Sequence, residues 1–423
     1  MLDIRLLREN ADTVRQRLQT RGGDTHELVS EVLACDEQRR SAETEKQALQ
    51  GQRKQIAKKI GALKGQGEDT ADLEAEARVI GEKVDAAVAE ANTADETQRA
   101  LLLRIPNLPH EECPIGKDET ANPELRTWGE KPSFGFEPKN HLELAEQHRM
   151  LDFENGAKIS SGGFTVFRGP GAKLQRALIG FMLDLHTQEH GYEEVSPPFI
   201  INRDAMFGTG QLPKFEEDMY GLEENKFFLA PTAEVPVTNL WRETILQEEE
   251  LPVRATAYTP CFRREAGASG RENRGLIRMH QFDKVELVQI VHPEKSFAVL
   301  EDLTAHAEAI LQKLGLHYRI IELCSGDIGF SSTKTYDIEV WAPGQGSYLE
   351  VSSCSNFGDY QARRMNLRYK NEKGKNRFCH TLNGSGTALP RIYVALLETY
   401  QQEDGSIAIP DALQPYVGAE KIG

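Results

Sequence analysis

Residues 262–282 read Phe-Arg-Arg-Glu-Ala-Gly-Ala-Ser-Gly-Arg-Glu-Asn-Arg-Gly-Leu-Ile-Arg-Met-His-Gln-Phe. The two ends of this stretch carry an arginine, a carboxylate and an aromatic of purine size. With one more arginine, these suffice to hold a nucleoside triphosphate without a phosphate-cradling glycine loop. A guanidinium is always charged and forks onto phosphate oxygens. Arg263 can take one phosphate, and Phe282 offers a flat face to a base. Glu265 can accept a hydrogen bond from an exocyclic amine, which separates adenine from guanine. The second arginine, Arg391, ends the run Gly384-Ser385-Gly386-Thr387-Ala388-Leu389-Pro390 and can hold another phosphate of the same nucleotide.

Glycine-loop and metal-helix signatures are missing. No Gly-x-x-x-x-Gly-Lys-[Ser/Thr] occurs, and Gly208-Thr209-Gly210 and Gly169-Pro170-Gly171 do not complete a dinucleotide fingerprint. No His-Glu-x-x-His helix occurs either. Taken alone, a Phe-Arg-x-Glu ends a surface strand and a Gly-Ser-Gly makes a turn. Their order along the chain is what carries the nucleotide reading.

At 423 residues the chain exceeds what one core can serve, so at least two structural units are expected. Hydrophobic residues make up 39% and charged residues 27%, a globular balance. No apolar run approaches a membrane span, so no membrane partner is expected. Asp3, Arg5, Arg8 and Glu9 stand where a signal peptide would place its apolar core. A cytoplasmic protein is the expectation. The six cysteines are scattered without zinc spacing and read as reduced core thiols. With 66 acidic against 50 basic side chains the net charge is -16, so a nucleic-acid partner must meet a local basic patch.

That patch lies near the N-terminus. From Leu28 the apolar positions 32, 35, 42, 49, 56, 60 and 63 alternate by fours and threes, with Arg39, Lys46 and Arg53 in the remaining slots. A second run follows the turn at Gly65-Gln66-Gly67, through Leu73, Ala77, Ile80, Val84, Ala87, Ala91, Ala94, Leu101 and Ile105, broken by Gln98. Two heptad helices joined by a short turn predict an antiparallel coiled-coil hairpin over about residues 28–105. At about 1.5 Å per residue its arm reaches roughly 50 Å and must project. Arg39, Lys46, Arg53, Lys54 and Lys58 make the first helix a candidate phosphate-tracking rod. Cross-helix ion pairing on a solvated face is the plainer reading of the same charges.

Pro106 and Pro109 stop the second helix, which places a domain boundary near residue 110: a helical domain over 1–110, a second over 111–423. Beyond it, strands are predicted at 163–168, 227–229, 281–291, 334–341 and 347–353, and helices at 174–190, 296–314 and 392–401. No regular βαβ period appears, so the fold class is α+β, with a mixed, mainly antiparallel sheet flanked by helices.

These segments, in this order, resemble the three motifs of class II aminoacyl-tRNA synthetases. The helix at 174–190 running through Gly191-Tyr192 to Pro197-Pro198 resembles motif 1. Phe262 to Glu265, a loop and Arg278 to Phe282 resemble motif 2, and Gly384 to Arg391 resembles motif 3. Pro390 stands where many members have glycine, a departure that suits the start of a helix. The class I signatures are absent. Within class II the resemblance narrows to the bacterial type of seryl-tRNA synthetase, carried by Thr209 to Phe215, Thr232-Ala233-Glu234, Gly275 to Phe282, Glu350-Val351-Ser352-Ser353 and Thr381 to Ser385. The N-terminal hairpin belongs to the same likeness.

The resemblance implies ATP-dependent activation of L-serine to seryl-adenylate and transfer to the 3' end of tRNA(Ser), with tRNA(Sec) a further candidate. It implies that Arg263 binds the α-phosphate and the serine carboxylate, and that Arg391 holds the γ-phosphate. These two are the catalytic candidates. Arg264, Glu265, Phe282, Glu350, Val351, Ser352 and Ser353 complete the ATP-binding set, with Mg2+ on Glu350 and Ser353. The serine-binding positions are Thr232, Ala233, Glu234, Arg263, Glu286, Asn383 and Ser385. Strand alternation alone would turn Glu286 to solvent. Motif 1 implies a homodimer. A threonine or proline enzyme is disfavoured because only about thirty residues follow motif 3. The intact hairpin speaks against a carrier-protein aminoacylase, and the complete motif set against a non-catalytic tRNA-binding scaffold.

Overall fold

The computed structural model describes residues 1–265 and 275–423. The loop expected inside motif 2 lies outside the described residues. The chain forms two compact units, Met1–Pro106 and Asn107–Gly423.

In the first unit, short helices Ile4–Glu9 and Ala11–Gln19 precede α1 (Leu28–Gly65) and α2 (Ala71–Arg104), which pack together as a hairpin. Val32, Cys35, Ala42 and Ile56 of α1 and Val84, Ala87 and Ala91 of α2 are buried on the heptad slots. Near the end of α2 the seam shifts by one residue, burying Leu102 and leaving the expected Leu101 half-buried. Gly67 turns the chain between the helices at φ 75°, a conformation that costs glycine little. At about 1.5 Å per residue, the 38 residues of α1 extend about 57 Å.

Gln98, read from the sequence as a break in the seam, is instead part of it. It is buried and its Nε2 donates to Asp36 Oδ1 at 2.8 Å. Asp36 also receives Arg8 at 2.7 Å and Arg40 at 3.1 Å, with Arg39 at 3.6 Å. Burial pushes the Asp36 carboxyl up, but the hydrogen bonds from Gln98 and Arg8 outweigh it and hold the group below its usual range. A polar knot of this kind fixes helix register.

The second unit is built on one eight-stranded sheet. In chain order its strands are β1 (Glu124–Trp128), β2 (Glu193–Glu194), β3 (Val253–Phe262), β4 (Gln281–Val291), β5 (Tyr318–Glu322), β6 (Lys334–Ala342), β7 (Ser347–Asn356) and β8 (His380–Ala388). Their spatial order is β1-β5-β6-β7-β8-β4-β3-β2. Every pairing is antiparallel except β2 with β3 at the edge. The sequence expectation for 281–291 matches β4 along its whole length. That for 163–168 is cut to Val166–Phe167, because the chain there is only half-buried and its ladder pairs only with Leu151–Asp152.

Helices α3 (Pro170–Gln188), α4 (Ser296–Lys313) and α5 (Leu389–Tyr400) share one large core with the sheet. Val285 and Leu287 of β4 belong to it. Val288, of opposite parity on the strand, packs with Ala233, Val237 and Ala257 in a separate cluster. The strand is therefore buried on both faces, which is why two-residue alternation did not show as apolar and polar.

Glu398 of α5 is fully buried. It accepts the backbone N–H groups of His141, Gly344 and Gln345 at 2.9, 2.9 and 3.2 Å, and the Gln345 side chain at 3.0 Å. Glu398→Ala strands these donors, and a loss of about 3 kcal/mol or more is expected in urea unfolding. A change below about 0.5 kcal/mol would show that water replaces the carboxylate at no cost.

Candidate active site

A cavity of about 720 Å³ opens on the sheet. Thr232, Glu234, Arg263, Glu265, Phe282, Glu350, Val351, Ser385 and Arg391 line it, together with Arg278, Lys284 and Gln211. The two arginines, 128 positions apart in sequence, therefore face one space.

Arg263 follows β3 directly. Its backbone N–H donates to His280 O at 2.9 Å, its Nε to Pro231 O at 3.2 Å, and its guanidinium lies 5.2 Å from the centre of the Phe282 ring. Arg391 stands in the first turn of α5, whose first turn also holds Pro390. Its Nη1 donates to Glu350 O at 2.7 Å and lies 3.4 Å from Glu350 Oε2. Glu265, in the left-handed region at φ 51°, pairs with Arg278 at 2.6 Å. Motif 3 needs its glycines for close packing: a Cβ on Gly384 would lie 2.8 Å from Cys354 Sγ, and one on Gly386 2.9 Å from His186 Nε2.

Deeper in, Glu286 is 1% exposed. Its Oε1 accepts from Asn383 Nδ2 at 3.0 Å. Its Oε2 accepts from Thr232 Oγ1 at 3.2 Å and pairs with Lys284 Nζ at 2.6 Å. Glu234 accepts from Gln361 Nε2 at 2.6 Å. Burial first, and then the neighbouring Glu286, push the Glu234 carboxyl up to about 7.

Some expected residues sit outside the cavity lining. Arg264 is exposed and does not line the cavity; its backbone N–H donates to Asp218 O at 2.9 Å. Ala233 is packed in an apolar cluster, and Ser352 Oγ donates to Ser385 O at 2.6 Å. These positions support the walls, and a side-chain contact with ATP or serine is not what their placement offers. Ser353 lies opposite Asp337 across the β6–β7 ladder and hydrogen-bonds it. Burial, then the nearby Glu350, raise the Asp337 carboxyl well above its usual range. Its Oδ1 has no partner among the described residues. Hard oxygens with an unsatisfied carboxylate behind them fit a magnesium ion held partly by substrate phosphates.

Lys284 and Gln361 are the site residues that sequence reasoning missed. Lys284 had a signal, since it lies between Phe282 and Glu286 at the period of a strand. Gln361 had none, because it reaches Glu234 from 127 positions away. His280 braces the site: Nδ1 and Tyr220 OH are 2.8 Å apart, and its ring stacks on Phe164 at 5.5 Å.

On the arm, Arg39 turns toward Asp36 and Lys46 pairs with Glu43. Lys64 bonds Glu74 of α2 at 2.6 Å. Arg53, Lys54 and Lys58 are exposed and form no salt bridge with any described residue. Of the five basic candidates, Arg39 and Lys46 are the two that pair with a described carboxylate.

An antiparallel sheet flanked by helices, with a strand-end arginine, a helix-start arginine and an aromatic lining one cavity, defines a class II aminoacyl-tRNA synthetase core. A family profile described as "tRNA synthetase class II core domain (G, H, P, S and T)" matches residues 214–400, and one described as "Seryl-tRNA synthetase N-terminal domain" matches residues 1–109. A serine–tRNA ligase of Akkermansia muciniphila is 66% identical, covering 100% of this chain and 99% of its own. One of Geobacter sulfurreducens is 51% identical over the full length of both. The crystal structure of seryl-tRNA synthetase from Pyrococcus horikoshii complexed with ATP superposes with a TM-score of 0.93 at 36% identity, covering 100% of this chain and 99% of that one. The chain belongs to the seryl-tRNA synthetase family.

Proposed function

We propose that this enzyme, a serine–tRNA ligase, activates L-serine with ATP in the cavity described above and passes the seryl group to the 3' end of tRNA(Ser). The convergence of Arg263 and Arg391 on one cavity carries the reading. Arg263 brings the serine carboxylate to the α-phosphate, so catalysis is positioning and charge neutralisation. The nucleophile is already an anion and needs no general base. Phe282 stacks on the base, Glu265 reads adenine, and Arg391 holds the γ-phosphate. Glu350 and Ser353 would hold Mg2+, which spreads the charge of the phosphates when bound. Thr232, Asn383 and Ser385 shape a small polar pocket around serine, and the carboxylate of Glu286 accepts from its hydroxyl. A buried acceptor left unpaired rejects the analogue without the hydroxyl by as much as about 10⁴.

ATP–pyrophosphate exchange with a panel of amino acids and no tRNA tests the assignment. Serine should stimulate it, and stimulation by threonine or proline alone would overturn the substrate.

Glu234 faces the cavity and takes the substrate ammonium. A carboxyl raised to about 7 is part protonated at neutral pH, and only its ionised form pairs with the ammonium. Acidification fills the carboxylate with a proton that serine must displace, so the serine KM should rise toward about tenfold per pH unit below that value. A flat serine KM between about pH 6 and 8 would remove Glu234 from this role.

The arm residues Arg53, Lys54 and Lys58 meet the tRNA backbone, reading shape before base sequence. A homodimer is formed through the motif 1 element. The exposed apolar side chains Phe153, Ile159, Phe199 and Ile200 flank it in sequence and gain burial there. No described helix is long and apolar enough to cross a membrane. The cytoplasm, where thiols such as the six buried cysteines stay reduced, is the compartment proposed.

A further inference from the structure

We infer that Lys284 is a positioning residue for serine selection: it holds Glu286 in place as the acceptor of the substrate hydroxyl. The inference rests on the serine site proposed above.

Phe282, Lys284 and Glu286 are alternate residues of β4 and share one face of the sheet. Alternate residues stand about 6.6 Å apart along a strand. The base-stacking ring, the ammonium and the buried carboxylate therefore form a row under the cavity. Lys284 occupies its middle, below the point where carboxylate and α-phosphate must meet. Its side chain is 8% exposed, it lines the cavity, and its Nζ lies 2.6 Å from Glu286 Oε2.

A carboxylate has about four acceptor positions. Lys284, Thr232 and Asn383 fill three of those on Glu286, which leaves one for the serine hydroxyl. Thr232 and Lys284 both line the cavity, and Glu286 lies just beneath them. The two carboxylates Glu234 and Glu286 interact in one buried pocket. Lys284 and Arg263 are the cations beside Glu234 that oppose this. Together the four groups carry no net charge, and they receive a zwitterion that carries none. Remove the lysine and a buried carboxylate keeps the hydrogen bonds of Asn383 and Thr232 but loses its cation, so that it is held less firmly and takes up a proton or water in the lysine's place. Such a loss falls on the serine hydroxyl and spares ATP, whose contacts lie at the Phe282 end of the row.

The test compares Lys284→Met, Lys284→Arg, Glu286→Gln and the double variant Lys284→Met with Glu286→Gln in ATP–pyrophosphate exchange with serine and with alanine. Lys284→Met should raise the serine KM by about 30-fold or more and leave the ATP KM in place. The preference for serine over alanine should fall by at least about tenfold. Lys284→Arg should recover most of the preference. The double variant should be no worse than Glu286→Gln alone, since the lysine acts through that carboxylate. It also buries no unpaired charge, so the comparison survives if Lys284→Met fails to fold. Equal rises in the serine and ATP KM, an unchanged serine preference, or a double variant much worse than Glu286→Gln overturns the role of Lys284. A serine KM untouched by Glu286→Gln overturns the serine site itself, and Lys284 with it.

Discussion

Replacing Arg263 with alanine is expected to lower serine-dependent ATP–pyrophosphate exchange by about 10³, the loss typical of removing one preorganised donor from a developing charge. The side chain is held for this task. Its Nε bonds Pro231 O, its own backbone bonds His280 O, and the Phe282 ring lies under the guanidinium. Little orientational freedom remains to be lost when ATP arrives. Arg263→Lys should recover only a small part, since an ammonium is a point charge and does not fork onto a phosphate and a carboxylate together. The defect should appear mainly in kcat, because the groups that Arg263 brings together react only when aligned. Exchange surviving at a tenth of the native rate in Arg263→Ala would show that another group aligns the reactants.

Removal of Met1–Pro106 should separate the two half-reactions. Exchange needs the cavity residues alone, all of which lie in Asn107–Gly423, and should persist. Transfer to tRNA should fall by about 10³ or more, because an enzyme of net charge -16 depends on local cations to hold a polyanion. Reversing Arg53, Lys54 and Lys58 to glutamate in the full chain is the gentler form of the same experiment. It should weaken charging and flatten its salt dependence by about one unit of slope for each phosphate that no longer meets a cation. Charging that is unaffected by both changes would mean that the arm is not where tRNA is held.

Much of the fold is legible locally. The heptad slots of the hairpin, the length of β4 and the span of α4 follow from periodicity, because each element buries a stripe set by its own repeat. The motif order by itself places Arg263, Phe282 and Arg391 in one site. Less legible are the groups that act through space. Gln98 breaks a heptad on paper and completes a buried knot with Asp36 in the folded chain. Arg39 reads as a phosphate contact and is turned toward that same aspartate. Arg264 shares the motif with Arg263, yet it stands exposed beyond the end of β3 and outside the cavity lining.

What the sequence determined by itself is therefore the set of elements and the identity of the reacting groups, since repeat patterns and residue chemistry are local properties of the chain. Tertiary structure alone decided the environment of those groups: that Glu286 is buried against Lys284, that Gln361 reaches Glu234, and that the Glu234 carboxyl is raised to about 7. Burial and electrostatic coupling depend on distances across the fold. Residues as far apart as Glu234 and Gln361 set those distances only once the sheet has closed over its core.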